Sequence, residues 1–260
     1  DAVAAFTRDT WGERHDDYIP RVFPDWAASD DPDRGTFVAT LSPEAIDVEK
    51  LEGRDPDDTL VEGDGAGAAE SGDSEAVVGC IQGALLSEWE AWGQGIRVDP
   101  AARGFGVGTA LSTAALDWAR DRGATVCRNM VFSWNVAGLG QSRAVGFEPA
   151  TEFRFAEPEP SASASAEGCR ADPVDNPDPV DDPDPNAAWA FWTDSDARDH
   201  LRGLVLDDSE SWACSELTRE RLRDAADDDR LLAVRGSSDP DGADAVGPLA
   251  GFALRTRVSE

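Results

Sequence analysis

A mixed α/β (α+β) architecture is predicted by three observations. Strand-like and helix-like hydrophobic periodicities alternate along the chain, one apolar strand runs directly into a glycine-rich turn, and that turn opens an amphipathic helix. The chain reads as helical at its start, with strands at Thr36–Leu41, Ala76–Leu86 and Ala91–Val98. Val98-Asp99-Pro100 then leads into a turn with glycine at 104, 106 and 108. In the following helix Val107, Leu111, Ala114 and Trp118 share one face, and Gly123 stands where a C-terminal cap is expected. Ala124–Trp134 reads as a strand, Gly138–Val145 as a short helix and Phe147–Phe155 as extended chain.

The stretch Glu157–Pro185 is dense in Asp-Pro repeats, which favour extended, solvated backbone, and is expected to link two lobes, residues 1–156 and 186–260. A second low-order segment, Gly53–Ser74, is expected to form a long acidic loop in the first lobe. The second lobe shows helical patterns at Ala187–Leu206 and Ser209–Ala226. Strand-like runs follow at Leu231–Arg235 and Leu249–Val258. This order repeats the front half of the first lobe.

Acidic residues number 53 against 23 basic ones, a net charge of −30, and Lys50 is the only lysine. Such a surface opposes broad binding to nucleic acid or to anionic membranes, because both need positive potential. With 40% hydrophobic residues, nine Trp and ten Phe the chain has enough apolar material to fold. Acid-rich, lysine-poor composition resembles that of cytoplasmic proteins from salt-loving (halophilic) microbes. No apolar run approaches the roughly 20 residues of a membrane span, and no signal-peptide pattern opens the sequence, so a cytoplasmic location is expected. Cys80, Cys127, Cys169 and Cys214 form no C-x-x-C pair, which points to isolated thiols and to no metal.

The segment Ile96–Ala124 carries the chemistry. Successive N–H groups at a helix N-terminus, where the helix dipole favours negative charge, make an anion cradle, and glycine lets the ligand approach the backbone. Two familiar phosphate loops do not fit: the turn has no lysine for a Walker A loop, and its G-x-G-x-G spacing is not the dinucleotide G-x-G-x-x-G. Residues 97–143 hold six arginines, at 97, 103, 120, 122, 128 and 143, against three aspartates, an excess of cation inside an acidic chain. Arg120 and Arg122 also suit the helix C-terminus.

Arg103-x-x-Gly106-x-Gly108, preceded by Val98-x-Pro100, resembles motif A of the GNAT superfamily of N-acetyltransferases. The likeness extends over roughly residues 76–156, through Leu116–Ala119, the strand into Asn135, and the ending Arg143-Ala-Val-Gly-Phe147. The resemblance implies a splayed mixed sheet flanked by helices, a second lobe that is an incomplete copy of it, and acetyl-CoA as co-substrate. It also implies that the backbone of Ile96, Arg97 and Val98 pairs with the pantetheine arm. The N–H groups of Arg103, Gly104, Phe105, Gly106, Val107, Gly108 and Thr109 would hold the pyrophosphate, with Asn135 touching the arm. An exposed N–H at Ile96 or Val98 would also stabilise the oxyanion.

For catalysis, direct attack by a primary amine in a ternary complex calls for a base, for which Glu90 and Glu88 are candidates, and an acid for the leaving thiolate. Ser142 occupies the place of the family's usual tyrosine and is a far weaker acid. The expected acceptor is a small-molecule or peptide amine, and the expected state a monomer or homodimer. The competing reading is a non-catalytic acyl-CoA-binding sensor or interaction module. His15 reads as an exposed polar residue, Cys127 as a packed thiol, and Trp89 and Trp92 as cleft or packing residues.

Overall fold

The computed structural model describes residues 2–8, 10–12, 14, 16–42, 60–61, 75–152, 178–236 and 247–255. The chain divides into two compact units, Asp1–Glu148 and Pro149–Glu260.

The first unit contains, in order, helices α1 (Ala2–Thr7) and α2 (Ile19–Ala28) and strands β1 (Arg34–Leu41), β2 (Leu60–Val61), β3 (Glu75–Leu85) and β4 (Glu90–Val98). A 3₁₀ turn at Pro100–Ala102 precedes α3 (Val107–Asp121), β5 (Val126–Asn129) and α4 (Val136–Ala144). The sheet order is β1-β3-β4-β5, with β2 also paired to β3. β3 is antiparallel to β1 and β4, whereas β4 and β5 run parallel.

β3 is apolar almost throughout because both of its faces are covered. Ala76, Val78 and Ile81 pack under Val107, Leu111 and Ala115 of α3. Val77 and Cys80 face α1 and α2 through Val3, Phe6 and Ile19. The buried stripe of α3 is Val107, Leu111, Ala115 and Ala119, one residue from the predicted Ala114. Trp118 lies over Gly35 and Gly83, where an added Cβ would come within 2.6 and 2.9 Å of its ring. Gly123, at φ 97°, ends the helix in a left-handed turn, with the Ala124 N–H donating to the Ala119 carbonyl at 3.0 Å.

The geometry that matters most lies in β4. Its register with β3 shifts between Cys80 and Gln82, opposite Gly95 at φ 65°, which is a β-bulge. The parallel ladder to β5 covers only Glu90–Gly93 against Val126–Asn129. Beyond Gly93 the two strands part, so β5 is much shorter than the predicted Ala124–Trp134: the residues after Asn129 have no strand to pair with. Phe147–Glu152 likewise joins no strand, and 153–155 lie outside the described residues. So does the acidic segment 53–74, apart from Leu60–Val61.

The second unit contains β6 (Asp178–Pro179), α5 (Pro185–Thr193), α6 (Asp196–His200), β7 (Leu204–Leu206), β8 (Cys214–Glu216), α7 (Arg219–Asp227), β9 (Leu231–Arg235) and β10 (Leu249–Leu254). A sheet of order β10-β9-β6 and a β7-β8 hairpin surround a core of Ala188, Trp192, Leu217, Leu222, Ala225 and Leu231. The two long helices expected here are each interrupted. Ser195 caps a separate short helix, and Gly203 at φ 77° then turns the chain into β7. The Asp207 carboxylate accepts from the Ser209 and Glu210 N–H groups, which makes a turn where a helix was expected, and Thr218 caps α7 only afterwards. Asp178–Pro185, read as linker, supplies β6 and the Asp184 cap of α5. α7, β9 and β10 repeat the order and antiparallel pairing of α2, β1 and β3.

Candidate active site

The end of β4 is joined to α3 by a loop fixed at both sides. The Asp99 N–H donates to the Val78 carbonyl at 2.8 Å, and the buried Asp99 carboxylate accepts from the Ala101 N–H at 2.9 Å. Gly104 and Gly106 follow with φ of 91° and 78°. A Cβ on either would meet nothing within 4 Å, so glycine is set here by backbone conformation and by the open space before it. The first helical bond runs from the Ala110 N–H to the Gly106 carbonyl at 3.0 Å. The N–H groups of Val107, Gly108 and Thr109 therefore lie in the first turn of α3, without acceptors inside the helix, and the dipole adds partial positive charge. Phe105 and Arg103 are exposed on the same turn. A pyrophosphate group fits this open, N–H-lined cradle.

Gly108 has a different task. A Cβ there would press on Gln141 Cγ at 3.3 Å, and Gln141 Nε2 donates to the Gly108 carbonyl (3.1 Å) and to Ser112 Oγ (2.6 Å). This contact seats α4 against α3.

Because the Asp99 N–H points to β3, strand alternation turns the Val98 N–H toward the gap left by β5. The Ile96 carbonyl accepts from Arg97 Nη1 at 2.9 Å. The same guanidinium also grips the buried Asp17 carboxylate, with Nε–Oδ2 2.6 Å and Nη2–Oδ1 3.0 Å. Asp17 Oδ1 also accepts from the Ile19 N–H at 3.0 Å, at the start of α2. The Arg97 guanidinium is therefore held between Asp17 and the Ile96 carbonyl.

Asn135 caps α4, its Oδ1 accepting from the Gly138 N–H at 2.9 Å. Ser142 is buried on α4, and its Oγ accepts from Asn129 Nδ2 at 3.1 Å. Asn129 makes the last ladder pair with Gly93, so this hydroxyl sits where the strands separate. Glu90 lies at the opposite end of the ladder, about 20 Å along the strand from Ile96 at ~3.3 Å per residue. It is buried, with its carboxylate paired to Arg128 and accepting from Ser87 Oγ. Glu88 is exposed, and His15 lies outside the described residues.

The arginine excess is largely spent locally: Arg97 pairs with Asp17, Arg128 with Glu90 and Arg120 with Asp117, while Arg122 lies over Trp118. Arg103, Arg122 and Arg143 have no carboxylate partner among the described residues. Burial pushes the Cys80 thiol up to about 12 and the Cys127 thiol up to about 11, against which Arg97 and Arg128 respectively pull only weakly. Both are packed, protonated thiols, unsuited to nucleophilic attack. Among the described residues no group of three or more His, Cys, Asp or Glu could hold a metal, and no helix is long and apolar enough to cross a membrane.

Sequence reasoning missed the segment between α1 and α2, where Asp17 meets Arg97 and Trp11 meets Phe132 and Trp134. Arg97, set between Ile96 and Val98 on a predicted strand, was the available signal, since a charge in that place calls for an acid.

The family model for the GNAT acetyltransferases matches residues 1–140, which span both the splayed sheet and the cradle. The chain belongs to the GNAT acetyltransferase family. It is an acyl-CoA-dependent acetyltransferase whose co-substrate is acetyl-CoA. No curated protein matches it. Among solved structures it is similar to AAC(6')-Iy in complex with a CoA-S-monomethyl-acetylneamine bisubstrate analogue, at 16% identity and TM-score 0.40 over 60% of this chain and 89% of that one. It is also similar to a transcriptional regulator from Bacillus halodurans C-125 (17%, TM-score 0.39, 60% and 90%) and to a putative acetyltransferase from Agrobacterium tumefaciens str. C58 (13%, TM-score 0.40, 60% and 92%).

Proposed function

We propose that this acetyltransferase moves the acetyl group to a primary amine by direct attack within a ternary complex, in the gap where β4 parts from β5. The observation that carries the reading is the continuity of three features. The β4 edge is open beyond Gly93, the glycine cradle follows it directly, and the Asn129–Ser142 pair stands at the parting point. Acetyl-CoA supplies the activated thioester. The Ile96–Val98 backbone would bind its pantetheine arm as a strand is added to a sheet edge, with Arg103–Thr109 holding the pyrophosphate and Asn135 flanking the arm.

Ser142 accepts from Asn129, which leaves its own hydrogen for a hydrogen bond to the leaving sulfur. A serine this weakly acidic orients rather than ionises. Glu90, paired to Arg128 and remote from Ile96, serves in this reading to fasten β4 to β5, and the amine proton passes to solvent. The rate then follows the acceptor's own ionisation, rising with pH until the amine is neutral. The second unit is read as a partial copy of the same fold, with no such cradle among its described residues.

The test is release of free CoA across a panel of primary amines in molar salt, where the Debye length is about 3 Å. Turnover on at least one amine, with kcat/KM tracking that amine's pKa, supports the assignment. Binding of acetyl-CoA without turnover on any amine would favour a sensor, a reading suggested by serine at position 142.

A further inference from the structure

Two residues that lie between α1 and α2, Asp17 and Trp11, touch the two sides of the gap between the strands. Asp17 grips Arg97 on the unpaired part of β4, and Trp11 packs edge-on against Trp134 (centroids 5.3 Å, 86°) in the segment between β5 and α4. Phe132 stacks on Trp134 at 5.1 Å and 9°. The Arg14 guanidinium carbon lies 4.7 Å from the Trp134 ring centroid.

A second guanidinium, that of Arg97, lies 4.8 Å from Trp11 in the same aromatic group. The two arginines differ in what holds them. Arg97 is half-buried and bonded to Asp17, whereas Arg14 is exposed and has no carboxylate partner among the described residues. The Trp134 ring, itself 40% exposed, is what Arg14 rests on.

We propose that the face of Trp134 now covered by Arg14 is the docking site for the acceptor, that the acceptor is an organic cation presenting a guanidinium or ammonium group, and that Arg14 is an internal occupant which it displaces. The inference rests on the acetyl-transfer reading for the word acceptor and names its substrate class. The ring lies one residue before the Asn135 cap and a few after Asn129, so a cation stacked there stands beside the parting of β4 and β5. Contact stacking on an aromatic face also suits a protein of this composition. Concentrated salt screens attraction between separated charges within about 3 Å, while a cation in direct contact with a ring keeps most of its attraction.

The experiment is calorimetry on the full chain in molar potassium chloride with agmatine, which carries both a guanidinium and a primary amine, and with pentan-1-ol as an uncharged control. Agmatine should bind and pentan-1-ol should not. Arg14→Ala, a change at an exposed side chain, should tighten agmatine by about 2- to 30-fold, and Trp134→Leu should weaken it by a similar factor, the range that one cation–π contact supplies. The opposite signs separate competition from a loss of packing. Agmatine affinity unmoved by Arg14→Ala, or equal binding of the alcohol, would overturn the inference. Titrating acetyl-CoA into the same samples isolates the functional reading: lost CoA binding with the agmatine pattern intact counts against acetyl transfer and for the cation site.

Discussion

Asp17→Asn perturbs the tie between the α1–α2 segment and the strand edge. The Asp17 side chain is fully buried and that of Arg97 is 10% exposed, so solvent screens the pair little. Removing the charge of one member of a buried pair leaves the other uncompensated, which costs about 3–5 kcal/mol, while asparagine keeps an oxygen able to cap Ile19. Taking ~3 kcal/mol and the ~2–4 °C that each kcal/mol shifts in a domain of this size, the transition of the first unit should fall by about 6–12 °C in scanning calorimetry. The double variant Asp17→Asn/Arg97→Met removes both charges, keeps the Ile19 cap and should recover most of that loss. A drop of only a degree or two in the single variant would refute the reasoning. So would a double variant worse than the single one, because the pair would then not be acting as a coupled, desolvated unit.

Other outcomes follow from the same geometry. Gly106→Ala places a side chain at φ 78° and on the anion face, costing about 1–2 kcal/mol in backbone strain; acetyl-CoA affinity by calorimetry should fall at least ~10-fold while the unfolding temperature drops only a few degrees. Glu90→Gln should lower the unfolding temperature, by stranding Arg128, and leave the pH profile of kcat/KM in place; loss of a pH limb would instead make Glu90 the base. The folded-state pKa values of Cys80 and Cys127, about 12 and about 11, lie above the ordinary thiol value of 9.0. The stability this represents is full below pH 9.0 and is lost as pH rises toward those values, and iodoacetamide should show no reactive step at 9.0 until the protein unfolds.

How far the sequence is legible depends on whether a signal is local. The order of elements in the first unit, the α3 stripe and the glycine turn can all be read because periodicity and backbone permissiveness act over a few residues. The extent of β5 cannot, since it is set by where β4 bends away at Gly95, and that bend depends on register with β3. The helical patterns of the second unit mislead for a related reason: Asp207 and Gly203 impose turns on segments whose composition suits a helix.

At the site, the cradle is local and visible. The partners of charged residues are not. Arg97 finds Asp17 some 80 positions away, Arg128 finds Glu90 across the ladder, and these pairings turn a run of arginines into a mostly neutral scaffold. The acidity of the chain concealed the same fact from the other side, because among so many aspartates nothing in the sequence marks Asp17 as a buried one.

The proposed acetyl-CoA site is single, formed by the β4 edge and the glycine turn of the first unit. Titration of acetyl-CoA into the intact chain in molar salt measures it most directly. Saturable binding at one equivalent per chain, competed by CoA, is the expected result. Two equivalents, which would place a cradle in the second unit as well, or no heat of binding at all, would contradict it.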